Sequence, residues 1–221
     1  MGARLEMMKT VRSICAISCF GLVAACSSSE ERVRNADVLS PVLSIFKKKE
    51  APPSGLTRAE IAGITDPLLL ISLEKTGGQG LFGFSAQNAG FVTWRTLDDV
   101  ALTLNNNILT STRKLGEDLM TSLPPKGVAN HPNYRREYSY LGGNEAIWKA
   151  QADCMMHQIG RETIVVLDTQ YDTAVFEEVC QTTRLGEIRN SFWLDGRGIA
   201  VKSRQFVSQD IGYLGIERIN S

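Results

Sequence analysis

The chain has 221 residues, 43% of them hydrophobic and 22% charged, with 24 basic residues against 24 acidic ones and two histidines. Those proportions exclude disordered, collagen-like and cysteine-knot chains and point to one ordinary folded domain. Balanced charge argues against a nucleic-acid binder, which carries a basic excess, and two histidines make a histidine-rich metal centre improbable.

Residues 1–25 read as a secretory signal. Arg4, Lys9 and Arg12 make a weakly basic start, with Met7 and Met8 as alternative first residues to Met1. An apolar run from Ile14 to Ala25 follows, and about 12 residues are too few to span a bilayer as a helix, which takes roughly 20. The run ends in Leu22-Val23-Ala24-Ala25-Cys26, the order of a bacterial lipobox. In that reading Cys26 is acylated and becomes the first residue of the mature chain, which is anchored by lipid without spanning the membrane. Ser27-Ser28-Ser29-Glu30-Glu31 then serves as a polar spacer. Serine after the cysteine fits export to the outer membrane, with the domain facing the periplasm of a Gram-negative cell. Cleavage removes three basic residues and one acidic residue, leaving a slightly acidic chain without a polybasic patch.

Residues 26–56 form the lipidated cysteine and its tether. Lys47-Lys48-Lys49-Glu50 and Ala51-Pro52-Pro53-Ser54-Gly55 read as an exposed hinge. Thr57-Arg58-Ala59-Glu60 is a capping-box signature that predicts a short helix over about 58–63. From there residues 57–221 form a single β-rich domain. Strands are predicted at 68–74, 81–86, 91–96, 100–104 and 108–112, the last two joined by Asn105-Asn106-Asn107, where positive φ is cheap. Residues 115–132 read as a long connection, with a helical turn over 114–119. Tyr134, Arg136, Tyr138 and Tyr140 alternate with Arg135, Glu137, Ser139 and Leu141, as on a strand. Further strands are expected at 145–157, 162–168, 174–181 and 187–194. Asp195-Gly196 is a hairpin turn pairing 191–194 with 198–204, and 213–219 closes the chain. About ten short strands without alternating helices predict a mainly β fold, an antiparallel meander forming an open curved sheet or a barrel.

Of five cysteines, Cys15 and Cys19 leave with the signal and Cys26 takes the lipid, so Cys154 and Cys180 remain. An even pair in an oxidising compartment suggests a disulfide, with two free buried thiols as the alternative. Enzyme signatures fail on inspection. Gly83-Phe84-Ser85-Ala86-Gln87 lacks the second glycine of a nucleophile elbow. Asp98-Asp99 fits a turn, and Gly77-Gly78-Gln79-Gly80 has no Gly-Lys-Ser/Thr after it. His131 and His157 have no spaced partner for a triad or a metal shell. No cofactor or metal is expected. Trp94, Trp148 and Trp193 are candidates for stacking on sugar rings, with core packing as the competing role. Phe192 and Trp193 are neighbours, so one of them should face outward.

The segments Ile64-Thr65-Asp66-Pro67, Phe91-Val92-Thr93-Trp94-Arg95-Thr96 and Leu102-Thr103-Leu104 together resemble the YjbF/GfcB-type lipoproteins. The resemblance continues through residues 108–119, Tyr138-Ser139-Tyr140-Leu141, the two cysteines, Phe192-Trp193-Leu194-Asp195-Gly196 and residues 201–205. It spans about residues 57–219. It implies an outer-membrane lipoprotein of group 4 capsule or exopolysaccharide production, with export or assembly proteins as partners and the polysaccharide itself as a further one. The family lends no catalytic residues, so an accessory or scaffold role is expected rather than an enzyme. A periplasmic lipid- or glycan-binding carrier and a polysaccharide-modifying hydrolase are the alternatives.

Overall fold

The computed structural model describes residues 56–142 and 146–220. The lipobox, Cys26 and the tether up to Gly55 lie outside the described residues. A single helical turn, α1 (Arg58–Ile61), opens the domain. The Glu60 carboxylate reaches back to the Thr57 amide at 2.7 Å and its hydroxyl at 3.0 Å, as the capping signature predicts. Twelve strands follow: β1 Leu68–Leu73, β2 Gln79–Asn88, β3 Phe91–Arg95, β4 Ala101–Asn105, β5 Ile108–Arg113, β6 Leu119–Ser122, β7 His131–Leu141, β8 Ile147–Val166, β9 Thr169–Thr182, β10 Glu187–Leu194, β11 Ala200–Ser208 and β12 Gly212–Asn220.

All pairings are antiparallel, and the order across the sheet is β5-β4-β3-β2-β1-β12-β11-β10-β9-β8-β7-β6. This is a meander in which the first and last strands pair, Ile71 opposite Ile216. The two ends of the sheet are β5 and β6, which are consecutive in sequence and come side by side. The sheet is therefore nearly closed into a barrel with one seam. Alternation puts Leu69, Ile71, Phe82, Tyr138, Tyr140 and Leu214 into one interior cluster to which strands on every side contribute. At the seam, Asp118 accepts from the backbone of Lys114 (2.7 Å) and Leu115 (3.0 Å) and from the Thr112 hydroxyl (3.0 Å). Thr112 in turn accepts from the Leu119 amide at 3.0 Å. Side chains thus replace the missing ladder.

The predicted helical turn over 114–119 is not formed. Lys114 and Gly116 have φ of 64° and 130°, outside the helical region, and Asp118 satisfies the amides that a helix would have used. The stretch read as one long connection contains β6. The strands predicted at 145–157 and 162–168 are a single strand, β8, because Gly160 sits in a register shift rather than a turn. The Asn106-Asn107 turn, with φ of 46° and 74°, is as predicted, and so is the β10–β11 pairing, but that hairpin turns over Asp195–Ile199, with Gly198 rather than Gly196 at positive φ (77°).

Beyond Met156 on β8 and Ala174 on β9, neighbouring strands stop and the hairpin continues as a two-stranded arm. The register shift between Gln158 and Gly160 exchanges the faces of β8. Cys154 and Met156 point inward before it, and Ile164 and Val166 point the other way after it. Those two pack with Tyr171 against Leu68, Leu81 and Ile219 and against Ile61 of α1. Leu68 and Leu81 adjoin the interior residues Leu69 and Phe82, so this second cluster lies on the outside of the sheet. The arm is folded back over the barrel wall. Its tip, Leu167-Asp168, is held by Arg58, which donates to the Leu167 carbonyl at 2.9 Å and the Thr169 hydroxyl at 2.6 Å.

Candidate functional site

The alternation that points Tyr134, Tyr138 and Tyr140 inward carries Arg136 with them. Arg136 is 3% exposed and Glu178, on β9, is 0% exposed. The guanidinium donates to both carboxylate oxygens, at 2.6 and 2.8 Å. It also reaches Ser122 of β6 at 2.7 Å and the Leu109 carbonyl of β5 at 3.4 Å. Glu178 further accepts from Asn190 Nδ2 at 2.6 Å and from the Tyr134 hydroxyl. Asn190 accepts the Phe206 amide at 2.7 Å. Gln205 accepts the Leu109 amide at 2.7 Å and donates to Asn107 and Ser203 at 2.9 Å each.

Leu109 lies beside a register shift in β5, and its backbone groups are taken by Gln205 and Arg136. Two interior side chains act as a substitute strand at the seam. Burial works against the Arg136 charge, but the Glu178 carboxylate beside it outweighs that, and the guanidinium holds its proton more tightly than in water. Tyr134, Tyr138 and Tyr140 are all pushed up, burial being the largest cause in each. With Arg136, Tyr134 and Asn190 all bonded to it, Glu178 is a structural anion. It has little acceptor capacity left with which to take a proton from a substrate.

Cys154 and Cys180 stand directly opposite in the β8–β9 register and form a disulfide, with Cα atoms 4.0 Å apart. The pair faces the interior, with the Tyr138 hydroxyl 4.0 Å from Cys180 Sγ. Cys154, Cys180 and Glu178 place three ligand-type atoms within 4.8 Å of one another. The two sulfurs are bonded to each other and are not thiolates, so the set does not offer a tetrahedral metal shell.

The three tryptophans have three different surroundings. Trp94 is 2% exposed and is a core residue with no face for a sugar. Trp193 faces outward, as its neighbour Phe192 is buried, but its indole N–H donates to Glu162 of the arm at 2.7 Å and Lys202 lies 5.9 Å from its ring. It fastens the arm to the wall. Trp148 stands at the rim beside the β7–β8 turn, stacked on Tyr140 with centroids 4.4 Å apart and planes 22° apart. Arg184 lies over the Trp148 ring at 5.1 Å. His131 contacts the Gly127 carbonyl at 3.3 Å, and His157 is exposed on β8. The Arg136–Glu178 network was not singled out from sequence. Its signal is the charge of Arg136 at an inward position of an alternating strand, and a like position for Glu178 two residues before Cys180.

Residues 40–219 match the sequence model of a family described as group 4 capsule polysaccharide lipoprotein gfcB, YjbF. The fold is similar to the crystal structure of the hypothetical lipoprotein YmcC from Escherichia coli K12. The TM-score is 0.66 at 18% identity, over 83% of this chain and 95% of that one. No curated protein matches the chain.

Proposed function

The chain belongs to the YjbF family of group 4 capsule polysaccharide lipoproteins, and from that premise we propose that it is a non-enzymatic accessory of capsule or exopolysaccharide export. In this reading Cys26 carries the lipid, the outer membrane holds the anchor, and the barrel is presented to export and assembly proteins in the periplasm. The observation that carries the reading is how the interior is used. Its buried charges are spent on one another, across the seam, where they hold the wall together. A hydrolase needs a carboxylate free to exchange protons with substrate, and Glu178 is committed elsewhere. An acyl carrier needs an apolar hollow, whereas the inward side chains pack into two clusters, one around Tyr138 and one around Phe192.

Deleting the gene separates a scaffold from an enzyme. Loss of a scaffold lowers the amount of surface polysaccharide and leaves its linkages and sugar composition as they were. An altered linkage pattern in the residual polymer, restored by the purified protein in vitro, overturns the reading in favour of catalysis.

A further inference from the structure

β12 carries Leu214 and Ile216 into the interior cluster and Ile219 into the outer one, so alternation turns Arg218 inward, directly opposite the interior Leu69 of β1. At this end of the barrel Phe84 of β2 and Trp94 of β3 also face inward. They are opposite each other in the register and in edge contact, with ring centroids 6.2 Å apart. The Arg218 guanidinium lies 5.4 Å from the centre of the Trp94 ring. Arg218 Nε and Trp94 Nε1 are both closed to solvent and have no hydrogen-bond partner among the described residues. Arg136 Nε is in the same state, but the rest of that guanidinium is bonded to Glu178 and Ser122. Arg113, Arg161 and Arg184 also lack a carboxylate among the described residues, but they are exposed, so water compensates them.

A cation taken out of water is costly unless it is paired. Burial, the largest influence, makes Arg218 hold its proton less tightly than in water; Arg197 acts in the same sense and Asp195 opposes them. Asp195 is already committed, since it accepts from the amides of Arg197 and Ile199 and from the Arg197 guanidinium. Among the described residues, this end of the barrel therefore keeps an uncompensated positive charge beside inward N–H donors. A single carboxylate answers both, with one negative charge and an oxygen for each side chain. A phosphate monoester approaches two negative charges and would leave an excess against the aromatic rings. Trp94 has no open face, but Phe84 beside it points inward and is still 47% exposed, which suits the apolar C–H face of a sugar. Resting on the export reading above, we propose that this end of the barrel binds the carboxylate of an acidic sugar. Arg218 and the Trp94 N–H take the carboxylate, and Phe84 turns to admit it and lies against the sugar ring.

The test uses the full chain in detergent, with nitrogen-15 in its tryptophans, and follows the indole N–H signals during titration with trigalacturonate, its methyl ester and acetate. Trp94→Phe identifies the Trp94 signal. Trigalacturonate is expected to move that signal downfield and to leave those of Trp148 and Trp193 in place; the ester and acetate, at the same concentration, are expected to move none. Arg218→Met keeps the apolar stem and removes the charge. It should weaken trigalacturonate binding on the order of tenfold by calorimetry, the loss of one charge-assisted contact. Its urea midpoint should stay level or rise, because an unpaired charge has left the interior. A static Trp94 signal, or an equal response to the ester or to acetate, overturns the proposal. So does a lower midpoint in Arg218→Met, which would mean that the chain itself already supplies the counter-charge. A protein that binds no acidic sugar but whose deletion still lowers surface polysaccharide sinks this inference and leaves the export reading standing.

Discussion

Arg136 and Glu178 bring opposite charges into an interior otherwise dominated by apolar and aromatic side chains. Taking two ions out of water is expensive, and their attraction offsets the cost only while both are present and hydrogen-bonded. Glu178→Ala leaves a buried, unpaired guanidinium and should cost about 3–5 kcal/mol in urea unfolding. The double variant Arg136→Met with Glu178→Leu should recover most of that loss, and if it does not, the pair does more than balance itself. The tyrosines around it give a pH dependence of definite sign. Tyr134, Tyr138 and Tyr140 ionise well above the free phenol value of about 10, so the folded chain keeps protons that the unfolded chain gives up. Stability from this source is complete below about pH 10 and falls as the pH rises beyond it. Urea midpoints should therefore be flat through neutrality and drop in alkali, and tyrosinate absorbance should appear together with unfolding. Absorbance from these residues in a chain still folded would contradict the burial. The disulfide acts on the unfolded chain: with its ends 26 positions apart, replacing both cysteines by alanine should cost about 3 kcal/mol.

Among the strands, β8 shows how one residue changes a whole segment. Ile159, at the register shift, lets the strand present one set of side chains to the interior and, further on, another to the outer wall. The arm's tip has to turn through Leu167 and Asp168, both at positive φ (42° and 64°). Leucine is a poor choice for that conformation, with a cost on the order of 1–3 kcal/mol. Arg58 and the outer cluster hold it there. Val166→Ala opens a cavity in that cluster and should loosen the arm by about 2 kcal/mol. Hydrogen exchange should quicken over residues 160–171 while the interior strands stay protected; uniform acceleration through the barrel would show that the arm is not a separate unit.

At the scale of the molecule, the barrel closes by pairing its first and last strands and leaves its seam between two consecutive ones, β5 and β6. That arrangement puts α1, where the described chain begins, against the arm rather than at the seam. Cys26→Ser is expected to leave the protein unprocessed or soluble, and to lower surface polysaccharide as the deletion does. A Cys26→Ser form that stays with the outer membrane after a high-salt wash contradicts the anchor.

Local chemistry was enough to place most of the meander. Asn106-Asn107 suits a tight hairpin turn, the Asp195-Gly196 signal marks the β10–β11 reversal although Gly198 takes the positive φ, the capping residues start α1, and alternation around Tyr138 marks which side of β7 is buried. The disulfide partners followed from their number once Cys15, Cys19 and Cys26 are assigned to a signal and a lipid, which leaves one intramolecular pair. The tertiary structure alone decided that the sheet nearly closes, that β8 runs on through Gly160, and that the arm folds back over the outer wall. It also decided that Trp94 belongs to the core, that Trp193 fastens the arm, and that Trp148 carries an arginine at the rim. The reason is the same in each case. Turn residues and alternation act between neighbours in the chain, whereas the seam, the outer cluster and the tryptophan contacts join residues far apart in sequence, whose partners exist only once the strands have come together.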